Sequence, residues 1–168
     1  MQIKLTKSLT ERDSDLLFRW RERVFPEEGR KINWSEPEWH LVAYNRERDP
    51  VAHLGYSGFT IGLGQGRQQA VVGVGGVVVR PEQQGKNIPL KLFDHLHSSP
   101  HALEISNTFT LFCPLRLGSY YQRHGYQPFT GEFTFMQGAV ATTTEDFMFM
   151  YRGADLSARI IELNNEPW

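Results

Sequence analysis

The sequence predicts an α/β protein with a mixed but mostly antiparallel sheet and helices on its faces. Two observations predict this class. The apolar patterns give the element order β-α-(α)-β-β-β-α-β-α-β-β, in which helices interrupt a series of strands. A strand, turn, helix, strand and short helix also follow one another over residues 68–126, and this unit is the most informative part of the chain.

The first half of the chain predicts strands and at least one helix before the central turn. Leu16, Leu17, Trp20 and Val24 have the spacing of one helix face, and the stretch "GQGRQ" is typical of a hairpin connection. The predicted elements are a strand over 2–6, a helix over 11–25, a polar loop or broken second helix over 26–38, and strands over 39–45, 51–63 and 69–79.

The second half begins with a helix at Ile88, where Leu92, Phe93 and Leu96 share one face. Gly125 is a typical stop for the later short helix. The predicted elements are a helix from 88 to about 97, a strand over 108–113, a short helix over 115–125, strands over 126–135 and 145–153, and a helical start to the tail 156–168. The sequence contains no internal repeat, so we expect one domain over 1–168.

Composition narrows the function classes. The chain has 168 residues, 40% hydrophobic and 22% charged, with a net charge of −1. That balance gives no basic field for nucleic acid or a membrane surface. Cys113 is the single cysteine, the N-terminal residues have no apolar core like a signal peptide, and no apolar run approaches the roughly 20 residues of a membrane span. We therefore expect a soluble, cytoplasmic protein without nucleic-acid or membrane partners.

Two segments carry a specific resemblance. "VVVRPEQQGKNIPLKLFDHL" is a strand, a Pro-acidic turn, a glycine-containing basic loop and an apolar helix, and "LFCPLRLGSYYQRHGY" is a later strand and an aromatic helix end. Together they resemble the Gcn5-related N-acetyltransferase (GNAT) superfamily. The resemblance implies the GNAT-like acyl-CoA N-acyltransferase fold, with strands 4 and 5 splayed apart and helices flanking the sheet.

The same resemblance implies acetyl-CoA as co-substrate, with no metal. In that fold the pantetheine arm lies along strand 4 as an added strand would, and a free N–H there stabilises the oxygen of the attacked thioester. A glycine-containing turn before a helix binds the diphosphate. The implied CoA-binding residues are Val77, Val78, Val79, Gln84, Gly85, Lys86, Asn87, Ile88 and Pro89.

Two residues of this diphosphate-binding turn, here called the phosphate cradle, depart from the superfamily's usual pattern. Asn87 stands where a glycine belongs, and asparagine is among the few residues that tolerate left-handed φ. Pro89 fits the first turn of a helix but removes one N–H donor. We therefore expect a weakened but usable phosphate cradle.

Candidate catalytic residues follow from the same resemblance. Tyr121, four residues before Gly125, matches the tyrosine that protonates the departing thiolate. His53 and Glu82 are the candidates for the general base, although a packed histidine and a solvated acid remain the alternatives. Cys113 is expected to be a packing residue, and the divergent directions of His95 and His97 on a helix argue against zinc.

Within the superfamily, the chain most resembles the aminoglycoside 2'-N-acetyltransferase branch, through "WSEPEWHLVAYN", "VAHLGYSGFTI", "VVVRPEQQG" and "YYQRHGY". That branch implies acceptor-binding roles for Glu27 or Glu28, for Glu145 or Asp146, and for Trp168. One residue departs from the branch: Gly75 stands where an acidic residue enters strand 4.

The sequence thus predicts transfer of an acetyl group from acetyl-CoA to a primary amine of a small molecule by direct attack. Two alternatives stay open: a non-catalytic CoA-binding or sensor protein of the same fold, and a module that binds a cationic small molecule without modifying it. A homodimer is also left open.

Overall fold

The computed structural model describes residues 1–20 and 32–168. The strands are β1 (Gln2–Thr6), β2 (Trp39–Tyr44), β3 (Pro50–Gly62), β4 (Gln68–Val79), β5 (Phe109–Pro114), β6 (Gln127–Pro128), β7 (Glu132–Gln137), β8 (Val140–Thr142), β9 (Phe147–Arg152) and β10 (Ile160–Leu163). The helices are α1 (Glu11–Phe18), α2 (Ile88–His97), α3 (Pro100–Ile105) and α4 (Gly118–Gln122), with short 3₁₀ turns at Pro81–Gln83 and Leu115–Leu117. None of the helices in these ranges is long and apolar enough to cross a membrane.

The strands form one sheet in the order β6-β9-β5-β4-β3-β10-β7-β8, and β2 joins β1 to the first half of β3. The long β3–β4 hairpin is its centre, because β3 pairs with β4 over nearly its whole length. Among the described strands, β5 runs parallel to β4 and β10 runs parallel to β7, while the other pairings are antiparallel. The predicted mixed, mostly antiparallel sheet is confirmed.

The sheet has two different faces, because successive side chains of a strand point to opposite sides. One face, here the α2 face, buries Val72 and Val74 of β4 against Leu92, Phe93 and the rest of α2. The opposite face, here the Trp168 face, is a cluster of rings that includes the following residues: Phe59, Phe112, Phe135, Phe149 and Trp168. Each face has its own hydrophobic core, so the strands between them are buried on both sides.

Most predicted elements are confirmed, including the strands over 2–6, 39–45 and 51–63 and the helix from Ile88. The described part of the predicted helix over 11–25 forms α1, which Thr10 caps by accepting a hydrogen bond from the Asp13 N–H.

Two predictions about the C-terminal third are wrong. The single strand expected over 126–135 is two strands, β6 and β7, which lie at different places in the sheet. Pro128 cannot extend the ladder of β6, and a Cβ at Gly131 would lie 2.4 Å from the Arg159 carbonyl, so the chain turns where only glycine fits. The expected helical start of the tail is absent from the described residues, and strand β10 forms instead, since Ile161 and Leu163 are buried while Glu162 between them is exposed.

Candidate functional site: the opening between β4 and β5

The predicted splay of two central strands is present in the structure. β5 pairs with β4 only where Val72, Gly73 and Val74 lie opposite Phe109, Thr110 and Leu111. Beyond that point β4 continues to Val79 and β5 to Pro114, but the two strands no longer pair with each other. The two strands therefore enclose a wedge whose one side is the second half of β4.

A β-bulge in β4 marks the start of the wedge. Gly55 pairs with Gly75 and His53 pairs with Val78, so two residues of β4 lie opposite the single residue Leu54. Gly76, one of the two, has φ +60°, a conformation that glycine adopts without steric cost. The bulge therefore explains why glycine stands at position 76.

The bulge changes which amides point toward β5. Before it, the Val72 N–H donates to the Thr108 carbonyl at 2.8 Å, at the start of β5. After it, the Arg80 N–H donates to Val51 of β3 at 3.0 Å. Since amide directions alternate along a strand, the N–H groups of Val77 and Val79 point away from β3 and into the wedge.

The loop after β4 supplies a second set of amides. Gly85 and Asn87 both have positive φ, +76° and +55°, and α2 begins at Ile88. Among the described residues, the backbone N–H groups of 85–88 have no hydrogen-bond partner. Successive amides in a left-handed turn form an anion-binding concavity at a helix start. The prediction that Asn87 takes the left-handed conformation is confirmed.

Charged side chains surround this loop. The Lys86 ammonium donates to the Gln83 side-chain oxygen at 3.0 Å, and the Gln84 amide donates to the Val79 carbonyl at 3.3 Å. Arg80 pairs with Glu82 at 2.5 Å. Glu82 is exposed, and this ion pair lies at the 3₁₀ turn that precedes the loop.

The two glycines that precede the bulge face Trp168. A Cβ at Gly73 would lie 2.5 Å from two indole atoms, and a Cβ at Gly75 would lie 2.9 Å from the Trp168 backbone carbon. Trp168 is 5% exposed, stacks on Phe59 with ring centroids 4.1 Å apart, and donates from Nε1 to the Thr110 carbonyl at 3.2 Å. The space that a side chain at position 75 would need is therefore filled by Trp168.

Tyr121 lies on α4, which follows the open end of β5. It is 7% exposed and packs edge-on against Phe93 of α2 at 6.0 Å. Gly118 at the start of α4 lets the helix sit close to β9, since a Cβ there would lie 3.0 Å from the Met148 thioether. The helix is thus fixed between α2 and the strand beside β5.

His53 lies on the opposite side of the sheet from α2, under α1. It is 1% exposed, with its ring edge-on to Phe18 at 5.1 Å. Nδ1 lies 2.7 Å from the Gly76 carbonyl oxygen and Nε2 lies 2.9 Å from Nδ1 of His40. Burial lowers the pKa of His40, and nearby Glu36 opposes that shift. Of the predicted catalytic residues, His53 is the one that touches the bulge.

Other candidates fall in different places. Glu27 and Glu28 lie outside the described residues. Asp146 is exposed just before β9, and its carbonyl accepts from the Leu115 N–H at 3.3 Å, next to the end of β5. The remaining candidates, a reactive cysteine and a zinc site, are not supported by the residues that the structure describes. Burial raises the pKa of the Cys113 thiol to about 12, which suits a packing residue. Burial also lowers the pKa of His97 to about 3, and no group of three or more metal-ligating side chains occurs in the described ranges.

His40 is a residue of this site that was not predicted from the sequence. His40 pairs across the sheet with Gly55, and Gly55 with Gly75. The contact between His40 and His53 needs the register of three strands and the bulge, and no spacing rule in the sequence gives that register. A histidine on each of two neighbouring strands was the only available signal.

Comparisons with known proteins agree with this geometry. Neither a protein-family model nor a curated protein matches the sequence. Among solved structures, the chain is similar to a GNAT family N-acetyltransferase (YhbS) from Escherichia coli in complex with CoA, with a TM-score of 0.59, 14% identity, and coverage of 96% of this chain and 89% of that one.

Two further structures have similar scores. An acyl-CoA N-acyltransferase from Pseudomonas aeruginosa has a TM-score of 0.56 and 18% identity, covering 90% of this chain and 99% of that one. An acetyltransferase of the GNAT family from Staphylococcus aureus Mu50 has a TM-score of 0.56 and 12% identity, with the same coverage of 90% and 99%. The splayed strands, the bulge and these likenesses together establish that the chain has the GNAT acyl-CoA N-acyltransferase fold.

Proposed function

We propose that this chain, acting as one domain over 1–168, transfers the acetyl group of acetyl-CoA to a primary amine of a small molecule. The observation that carries the proposal is the wedge between β4 and β5, which exposes the amides of Val77 and Val79 in an otherwise paired sheet. A strand edge of that kind binds an extended, amide-containing chain by strand addition. Pantetheine is such a chain.

The thioester would lie at the bulge end of the wedge. The N–H groups of Val77 and Val79 would bond the pantetheine arm and the thioester oxygen, while Val78 packs toward α1 and supports the strand. A preorganised N–H aimed at a developing oxyanion is worth about 10²–10³ in rate.

The diphosphate would bind at residues 84–89. The amides of Gly85, Lys86, Asn87 and Ile88 have no other partner in the described structure, and Gln84 and Pro89 bound the loop. Lys86 and the exposed Lys91 add positive charge, whereas the charge of Arg80 is already paired with Glu82. Pro89 contributes no N–H, so this cradle binds with one donor fewer than it could.

The chemistry is direct attack. The amine nitrogen bonds to the thioester carbonyl carbon, the C–S bond breaks, and the thiolate takes a proton from Tyr121 as general acid. The amine loses its proton to a base, for which His53 and Glu82 are the candidates. Glu82 is solvent-exposed and ion-paired, whereas His53 lies directly behind the bulge.

The acceptor would approach from the Trp168 face. Glu27, Glu28, Asp146 and Trp168 are proposed as the residues that bind it. The comparisons do not support the aminoglycoside 2'-N-acetyltransferase branch, and Trp168 occupies the place of the acidic side chain that this branch carries at position 75. We therefore assign the acceptor as a primary amine without naming an aminoglycoside.

Ligand-dependent thermal stability tests the CoA step. Acetyl-CoA at one hundred times its dissociation constant should add about 2.7 kcal/mol to the free energy of unfolding. Gly85→Glu would place a carboxylate at the diphosphate and should abolish that gain. Gly66→Glu is the matched control, since both glycines have positive φ and open space around the Cβ position. Absence of stabilisation by millimolar acetyl-CoA would reject the proposal.

Thiol release across a panel of primary amines tests the transfer step. A rise in free thiol that requires both acetyl-CoA and an amine supports the enzyme. Stabilisation by acetyl-CoA without thiol release for any amine would favour the non-catalytic CoA-binding alternative.

A further inference from the structure

The histidine pair behind the bulge has a defined proton arrangement. A carbonyl oxygen only accepts, so Nδ1 of His53 carries the hydrogen that bonds the Gly76 carbonyl at 2.7 Å. In the neutral imidazole, a hydrogen on Nδ1 leaves the lone pair on Nε2 of His53. His40 then donates from its Nδ1 to that lone pair at 2.9 Å. The tautomers of both rings follow from this one carbonyl.

The Gly76 carbonyl belongs to the same peptide group as the Val77 N–H, one of the two amides that point into the wedge. Gly76 C=O and Val77 N–H are parts of one planar trans peptide, in which the two groups point in opposite directions. His53 holds the carbonyl toward β3 and α1, so the Val77 N–H must point to the other side, into the wedge.

This peptide needs such a restraint. Gly76 lies in the bulge, outside the regular ladder with β3, and a glycine without Cβ rotates more freely than any other residue. Phe18 packs edge-on against the His53 ring from α1, and His40 holds its far nitrogen from β2. α1 and β2 thus both hold the His53 ring that restrains the peptide.

We infer that His53 is a positioning residue of the proposed transfer reaction, which orients the Val77 N–H toward the thioester oxygen through its bond to the Gly76 carbonyl. This inference rests on the proposed function for its effect on rate, and on the hydrogen-bond geometry alone for the orientation. It gives His53 a role in place of direct proton abstraction, because Nδ1 already donates to Gly76 and Nε2 already accepts from His40.

Two substitutions of His53 test the roles of its two ring nitrogens separately. The amide nitrogen of Asn lies near the position of Nδ1, so His53→Asn keeps a donor for Gly76 and loses the His40 contact. The amide of Gln lies near Nε2, so His53→Gln keeps the His40 contact and loses the bond to Gly76. We expect kcat to be about 10–100-fold lower in His53→Gln than in His53→Asn, with KM for acetyl-CoA changed less than about threefold in both.

The opposite ranking, or equal losses in the two variants, would overturn the inference. A general base that acts through Nδ1 or Nε2 would be lost in both variants alike, because neither amide takes up a proton near neutral pH. The comparison between the two therefore distinguishes positioning from proton abstraction.

A spectroscopic measurement on the ligand-free wild-type protein needs neither variant nor activity. ¹⁵N NMR of the His53 ring at pH 7 should show a protonated Nδ1 and an unprotonated Nε2. A protonated Nε2 with a bare Nδ1 would overturn the inference even if the protein acetylates amines. The expected tautomer in a protein that acetylates no amine would retain the orientation of Val77 while rejecting the proposed function.

Discussion

The two halves of β4 differ in their pairing although both contain several valines. The first half, up to Val74, pairs with β3 and, at Val72, Gly73 and Val74, with β5 as well, and it carries glycine only where Trp168 presses against it. The second half, from Gly75 to Val79, keeps β3 but has lost β5. Both halves are rich in valine and glycine. What separates them is one extra residue at Gly76, which reverses the direction of every later amide.

This difference shows how a stable sheet can offer unpaired amides. An open strand edge is a template for pairing with another chain, so proteins keep such edges short or covered. Here the opening is interior, with α2 on one face and the ring cluster of the Trp168 face on the other. The first half of β4 therefore supplies stability, and the second half supplies the surface that we assign to CoA.

The largest expected effect is on turnover, and it tests the role that we propose for the wedge beside the second half of β4. Tyr121→Phe should lower turnover by about 10²–10⁴, because the departing thiolate loses its proton donor. Tyr120→Phe, one residue away and half-buried on the same helix, is the matched control and should change turnover less than about threefold. The measurement is thiol release at saturating acetyl-CoA, and an unchanged rate in Tyr121→Phe would make this tyrosine a packing residue.

The second-largest expected effect is on stability, and it concerns the first half of β4. Gly73→Ala places a methyl group 2.5 Å from the Trp168 indole and 2.6 Å from Phe59, and both rings are packed in the core of that face. Overpacking of this kind costs about 1–3 kcal/mol of the free energy of unfolding. Urea denaturation measures the loss, and a variant as stable as wild type would mean that Trp168 does not press on β4.

The bulge itself should respond in both stability and rate. Gly76→Ala forces an L-residue into the left-handed region, at about 1–2 kcal/mol, and brings its Cβ to 3.2 Å from the His53 ring. Gly66→Ala carries the same backbone cost on a turn with open space. Urea unfolding should show a loss in the free energy of unfolding for both variants. Only Gly76→Ala should lower thiol release. Equal turnover in the two variants would mean that the bulge has no role in the reaction.

The smallest expected effect is a gain in affinity for CoA. Pro89→Ala restores one N–H at the start of α2, and a hydrogen bond to a charged group is worth roughly 1.5 kcal/mol or more, so CoA should bind about tenfold tighter. Pro100→Ala makes the same change at the start of α3, away from the cradle, and should leave the affinity unchanged. Calorimetric titration with CoA compares them, and equal affinities would place the diphosphate elsewhere.

The sequence predicted the elements that depend on local signals. The valine-rich run of β4, the αL position at Asn87 and the helix face at Leu92, Phe93 and Leu96 each follow from a short pattern, and the structure contains them. The splay of β4 and β5 was implied by the resemblance that two motifs carry.

The remaining features depend on contacts between distant segments. The Trp168 side chain reaches Gly73, and His40 reaches His53, only after β3 has paired with β4 along one edge and with β2 and β10 along the other. The division of residues 126–135 into β6 and β7 likewise depends on where β9 and β10 lie. No local periodicity encodes such pairings, so the histidine pair behind the bulge could not be predicted from the sequence.

Hydrogen exchange at single amides of β4 tests the difference between its two halves most directly. Without ligand, the Val72 amide, bonded to Thr108, should exchange slowly, whereas the Val77 and Val79 amides should exchange fast. Saturating CoA should slow Val77 and Val79 and leave Val72 unchanged. Protection of Val77 and Val79 in the ligand-free protein, or exchange there that CoA does not alter, would contradict an open wedge that receives the pantetheine arm.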